Sequence, residues 1–191
     1  MAHVGLLFGS FNPVHVGHLT LANYMLVTQD LDEVWLVVSP QNPFKTEMSL
    51  IDGRHRLKMV EIALDDHPDI KACDIELNLP VPSYTTDTLD VLKSVYPRHR
   101  FSIIMGADNV LMVGRWKDAQ KIKDNHTIFV YPRPGSPTGN VPLHHGIVLT
   151  EAPLFEISST FVRQLLAGNK DVSFFVPAGV AKYIRSNRLY K

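Results

Sequence analysis

A single cysteine, Cys73, stands in the 191 residues. It excludes a disulfide within the chain and suits a reducing compartment. Its setting, Ile70-Lys71-Ala72-Cys73-Asp74-Ile75, is strand-like, so the thiol reads as a buried structural group rather than a nucleophile. Net charge is missing too: nineteen Lys and Arg balance nineteen Asp and Glu. That removes the electrostatic case for a nucleic-acid partner, and any anion site must be local. No uninterrupted apolar segment is long enough to cross a bilayer. The first residues read as a strand leading into a loop, not as a signal peptide. A cytoplasmic protein without a membrane partner is the expectation. Neither a Walker A loop nor a Gly-x-Gly-x-x-Gly turn occurs, which argues against a P-loop ATPase and a dehydrogenase. No compact set of Cys, His and carboxylates completes a site around His15 and His18, so no protein-built metal site is expected.

What is present is an ordinary 45% hydrophobic content arranged in alternating runs. The length suits one domain over residues 1–191, with a helical portion from about residue 157. Val4–Phe8, Glu33–Ser39, Lys71–Glu76, Arg100–Met105 and Thr127–Tyr131 read as strands, and Gly146–Leu149 as a short sixth. Helical stretches run from His18 to about Gln29, from a cap at Asp52 to about Asp66, and from about Thr86 to Val95. Two more follow: one capped by Ser158 and ended by Gly168, and one from Pro177 through Arg185. Near-continuous apolar strands separated by helices predict an α/β, Rossmann-like, doubly wound parallel sheet with helices on both faces. Such sheets bind ligands outside the carboxyl ends of their strands. The loops after Phe8, Ser39, Met105 and Tyr131 open there, and they hold the unusual residues.

The first of those loops is the most informative: Gly9-Ser10-Phe11-Asn12-Pro13-Val14-His15-Val16-Gly17-His18. A turn from strand to helix offers free N–H groups and the positive end of a helix dipole to phosphate. Two histidines add side-chain donors. A second phosphate-suited stretch is Ile157-Ser158-Ser159-Thr160-Phe161-Val162-Arg163, where hydroxyls and N–H groups open a helix and a cation follows one turn in. A third candidate is Lys45, in a loop stiffened by Pro40 and Pro43.

The first motif fills every fixed position of the HxGH signature of the nucleotidylyltransferase superfamily, and the second resembles the Ile-Ser-Ser-Thr-x-x-Arg motif of its adenylyltransferase branch. Ser83-Tyr84-Thr85-Thr86-Asp87-Thr88-Leu89 and Gly106-Ala107-Asp108 followed by Trp116 resemble segments of the nicotinate-nucleotide adenylyltransferase family. The resemblance runs through nearly the whole chain. It implies transfer of AMP from ATP to nicotinate mononucleotide, with Mg²⁺ brought by ATP. It implies catalytic roles for His15, His18, Lys45 and Arg163. It implies ATP contacts at Gly9, Ser10, Phe11, His15, His18, Gly106, Asp108, Arg133, Ile157, Ser158, Ser159 and Arg163. Tyr84, Thr85 and Trp116 would surround the acceptor's pyridine ring. A homo-oligomer is compatible with the sequence.

Two departures from the family pattern stand out. Asn12 replaces a frequent aspartate, and Lys117 follows Trp116 where an aromatic is often found. The alternatives are a nicotinamide-mononucleotide or dual-specific enzyme, a pantetheine-phosphate adenylyltransferase, and a non-catalytic nucleotide-binding domain. Trp116 and the Ser-Tyr-Thr stretch argue against pantetheine. The set of His15, His18, Lys45 and Arg163 argues against a mere binding domain.

Overall fold

Side chains along the central strands alternate between two separate apolar cores. Leu7, Leu36, Ile104 and Phe129 enter one core, and their neighbours Leu6, Val37, Ile103 and Val130 enter the other. This period of two, with both sides apolar, is the pattern of a parallel sheet covered on both faces. The computed structural model describes residues 1–40, 50–65, 67–136, 138–141 and 145–191, the side chain of residue 140 excepted. Lys45 lies outside the described residues.

Six strands form the sheet: β1 (His3–Gly9), β2 (Glu33–Val38), β3 (Ile70–Cys73), β4 (Arg100–Gly106), β5 (Ile128–Tyr131) and β6 (Ile147–Leu149). All neighbouring pairs are parallel, in the order β3-β2-β1-β4-β5-β6. One face is packed by α1 (Val16–Thr28), α2 (Gly53–Leu64), α6 (Ser159–Ala167) and α7 (Ala178–Ser186). The other is packed by α3 (Thr85–Val95) and by the short helices α4 (Ala107–Val110) and α5 (Ala119–Asn125). The order reverses between β1 and β4, so a crevice opens beyond Gly9 and Gly106, where doubly wound sheets hold their ligands.

Two boundaries differ from the sequence expectation. The run Lys71–Glu76 does not stay a strand. Pairing with β2 ends at Val37 and Cys73, and Ile75–Asn78 winds into a 3₁₀ turn closed by Leu77 N–H donating to Asp74 O at 2.8 Å. That turn buries Glu76, whose carboxylate accepts the Thr88 hydroxyl at 2.7 Å and so anchors α3. Helix α1 starts at Val16 with His15 as its N-cap, two residues earlier than read, which places His18 in the first turn. The caps at Asp52 and Ser158 form as expected, accepting from Arg54 N–H at 2.7 Å and Phe161 N–H at 3.1 Å.

Candidate active site

The turn from β1 to α1 is fixed from below and from the side. Phe11 sits at φ 44°, a left-handed conformation that costs a bulky residue about 1–3 kcal/mol. Its ring is buried against Gly9, where an added Cβ would come within 2.8 Å of Cζ. Only the main chain of Phe11 is therefore left to a ligand. Gly17 answers a similar demand: a Cβ there would press to 3.1 Å from His15 Nδ1. The glycine between the two histidines lets the His15 ring lie back over the helix.

The His15 and His18 rings stack with centroids 3.7 Å apart, and the Phe11 ring meets His18 edge-on at 5.0 Å. His15 is buried, whereas His18 is partly exposed at the crevice. Burial, with the Arg133 guanidinium nearby, lowers the His15 pKa to about 4. Burial, the neighbouring His15 and Arg133 hold His18 well below the ordinary histidine value. Both imidazoles are thus neutral at pH 7. The His15 backbone N–H donates to His18 Nδ1 at 3.3 Å. Nδ1 being an acceptor, the proton of neutral His18 resides on Nε2, which makes the outer nitrogen a donor.

Helix α6 grips the same turn. Ser159 Oγ donates to Pro13 O at 2.9 Å, and Arg163 Nη1 donates to Asn12 O at 2.8 Å. Arg163 Nη2 donates to Thr160 Oγ1 at 3.1 Å. Ser158 spends its hydroxyl on the cap, and Ile157 packs partly buried on the core. Ser159 and Arg163, read from the sequence as phosphate ligands, therefore also shape the loop that would hold the phosphates. Ser159 does so from the amino end of the helix, where the dipole favours an anion, and Arg163 from one turn further in.

Beneath the turn lies a residue the sequence reading missed. Arg56 of α2 is 1% exposed. Its guanidinium donates to Ser10 O and Ser39 O at 2.6 Å each, and to Ile51 O and Pro40 O at 3.1 Å each. It ties the segments that follow β1 and β2 to the start of α2. A local signal existed: Arg56 occupies the same helical stripe as the buried Met59 and Val60, three and four residues on. A cation there has to be satisfied inside.

Across the crevice, Gly106 caps α4 in a crowded space, where an added Cβ would displace the Asp108 carboxylate and approach Arg133 Cγ to 2.8 Å. Arg133 Nε stands 3.7 Å from Asp108 Oδ1. The structure thus gathers Gly106, Asp108 and Arg133 beside the histidines. On the α3 side, Tyr84 caps the helix that Thr85 begins. Lys117 pairs with the Asp87 carboxylate at 2.7 and 3.0 Å and lies 5.3 Å from the Tyr84 ring centre. The lysine that departs from the family pattern thus straps the segment carrying Trp116 to the start of α3. Trp116 itself is partly buried against the apolar core on that face.

The cytidylyltransferase-like family model matches residues 6–165. A protein of Flavobacterium johnsoniae named probable nicotinate-nucleotide adenylyltransferase is 46% identical over 190 residues, with 98% of each chain covered. One of the same name from Cytophaga hutchinsonii is 46% identical over 187 residues, covering 98% of this chain and 97% of that relative. The solved structure of Plasmodium falciparum nicotinic acid mononucleotide adenylyltransferase complexed with NaAD superposes with a TM-score of 0.75 at 19% identity. The match covers 100% of this chain and 98% of that one, and it establishes the likeness of fold.

Proposed function

Because the chain belongs to the cytidylyltransferase-like family and, within it, to the nicotinate-nucleotide adenylyltransferases, we infer that it transfers the adenylyl group of ATP to nicotinate mononucleotide. The products are nicotinate adenine dinucleotide and pyrophosphate. An oxygen of the acceptor phosphate attacks the α-phosphorus in line, and the bond to the pyrophosphate oxygen breaks. A phosphate monoester has a second pKa of about 6, so the nucleophile is already deprotonated near neutrality and needs no general base. Catalysis reduces to positioning and charge stabilisation.

The observation that carries this reading is the His15–His18 pair at the start of α1, on the edge where the strand order reverses. Neutral His18, with its proton on Nε2, offers a hydrogen bond to the phosphate region without a counter-ion. Ser159, Arg163 and the first N–H groups of α6 face the leaving phosphates, and Lys45 is proposed to join them. Gly9, Ser10 and the Phe11 main chain line the turn. Gly106, Asp108 and Arg133 border the nucleoside. Tyr84, Thr85 and Trp116 receive the pyridine ring, the indole serving as a stacking platform.

Among the described residues no group of three or more His, Cys, Asp or Glu side chains stands close enough to hold a metal. Mg²⁺ fits here as a companion of the triphosphate, held by phosphate oxygens and water. No helix among the described residues is long and apolar enough to cross a membrane. A cytoplasmic setting agrees with Cys73, whose burial pushes its thiol up to about 11 and leaves it unreactive. Incubation with ATP, Mg²⁺ and nicotinate mononucleotide, with products separated by anion exchange and weighed, tests the reading. One dinucleotide per pyrophosphate is expected. Unchanged ATP would refute it.

A further inference from the structure

The turn Asn12–Pro13 is held by more than α6. Tyr190, in the tail after α7, donates its hydroxyl to Asn12 Oδ1 at 2.8 Å, across 178 positions of sequence. Asn12 is fully buried, and its backbone oxygen is the acceptor of Arg163. One residue of the turn therefore receives the helix through its main chain and the tail through its side chain. The tail is shaped for this. Arg188 and Tyr190 adopt left-handed conformations at φ 51° and 63°, and Leu189 N–H donates back to Ile184 O at 3.1 Å. Left-handed backbone at two non-glycine residues persists only where surrounding contacts enforce it. Here these are the Asn12 bond and the packing of Leu189 and Tyr190 against the core shared by α1, α2, α6 and α7.

We propose that Tyr190 is a positioning residue for adenylyl transfer, acting through Asn12 to set the phosphate turn and, with it, the aim of His18. It touches no substrate. Its hydroxyl fixes the Asn12 side chain, leaving Arg163 and Ser159 to fix the carbonyls, so the turn is clamped at three points from residues beyond position 158. The amide of Asn12, in place of the aspartate frequent in the resembling family, keeps an oxygen acceptor for this bond. The inference rests on the adenylyl-transfer reading of the site.

The test is a cycle of variants assayed with ATP, Mg²⁺ and nicotinate mononucleotide: wild type, Tyr190→Phe, Asn12→Ala and the double variant. Tyr190→Phe keeps the ring and removes one hydroxyl, so native circular dichroism is expected. Its kcat should fall about tenfold, the equivalent of one lost hydrogen bond, while KM for the acceptor stays within twofold. In the Asn12→Ala background the same change should cost nothing further. If Asn12→Ala does not fold, Asn12→Asp replaces it, and there the loss on removing the hydroxyl should grow, since a charged acceptor bonds more strongly. A Tyr190→Phe enzyme with wild-type kcat, or losses that multiply regardless of residue 12, would overturn the inference. An inactive wild type would instead refute the reading of the site.

Discussion

At the amino end of α1 an imidazole must donate without carrying charge. Burial first, then the neighbouring His15 and the Arg133 guanidinium, oppose a proton on His18 in the free chain, and the helix dipole acts in the same direction. The backbone of His15 supplies the tautomer instead. Losing such a preorganised donor lowers kcat by about 10²–10³-fold. His18→Ala should do this while its circular dichroism stays native, and near wild-type turnover would remove His18 from the chemistry. The same burial has a cost in acid. The folded pKa of His15, about 4, lies below the ordinary 6.5, so the unfolded chain binds the proton first. Stability should be level above about pH 7 and fall as pH drops from 6.5 towards 4. His15→Asn should lack on the order of 3 kcal/mol of that decline. Denaturant melts of both proteins across this range measure it, and parallel curves would show that His15 is not buried neutral. Much of this residue-level picture was legible, because the two histidines and their glycine are local in sequence. Tyr190 was not, since its partner lies 178 positions away, and Arg56 showed only its place on a buried helical stripe, its acceptors being spread from 5 to 46 positions away.

Among the elements, α2 and α6 act as braces on loops belonging to β1 and β2. Removing the Arg56 guanidinium leaves four carbonyl oxygens to find new donors in a confined space. Arg56→Met should lower stability by about 3 kcal/mol, with each buried acceptor left unmet costing roughly 1–3 kcal/mol before relaxation. Arg56→Lys should recover less than half, because a point charge does not replace a planar fork. Urea melts of the two variants decide this, and equal stability of Arg56→Lys and wild type would mean that charge alone matters. On α6, Arg163→Ala should raise KM for ATP and lower kcat together, since Arg163 shapes the turn and, in the proposed reading, faces the phosphates. Varied-ATP kinetics would show it, and unchanged constants would confine Arg163 to a structural contact with no part in ATP binding or turnover. The strands β1, β2, β4 and β5 were readable because burial on both faces gives continuous apolar runs. The end of β3 was not. Ile75 and Glu76 continue a plausible strand pattern, but the chain winds into a 3₁₀ helix in which Glu76 accepts the Thr88 hydroxyl, a tertiary contact.

Over the whole molecule, the strand order brings four stretches distant in sequence to one crevice: the turn after β1, the segments after β4 and β5, and the start of α6. The sequence signalled this meeting through strand polarity, because parallel strands send every following loop to the same edge, and through the hydroxyl-rich start of α6. It could not signal how the tail past α7 closes on the turn, which depends on packing between elements. The central claim is adenylyl transfer to nicotinate mononucleotide at this crevice. Steady-state pyrophosphate release with ATP and Mg²⁺ tests it most directly, using nicotinate mononucleotide, nicotinamide mononucleotide and pantetheine phosphate in turn. The account predicts release with the first, with kcat/KM exceeding that for the amide by roughly one to two decades, the discrimination expected if donors that meet the acceptor's carboxylate are left unpaired against an amide. Pantetheine phosphate should give none. Absence of release with nicotinate mononucleotide, or a higher kcat/KM for either of the other acceptors, would contradict it.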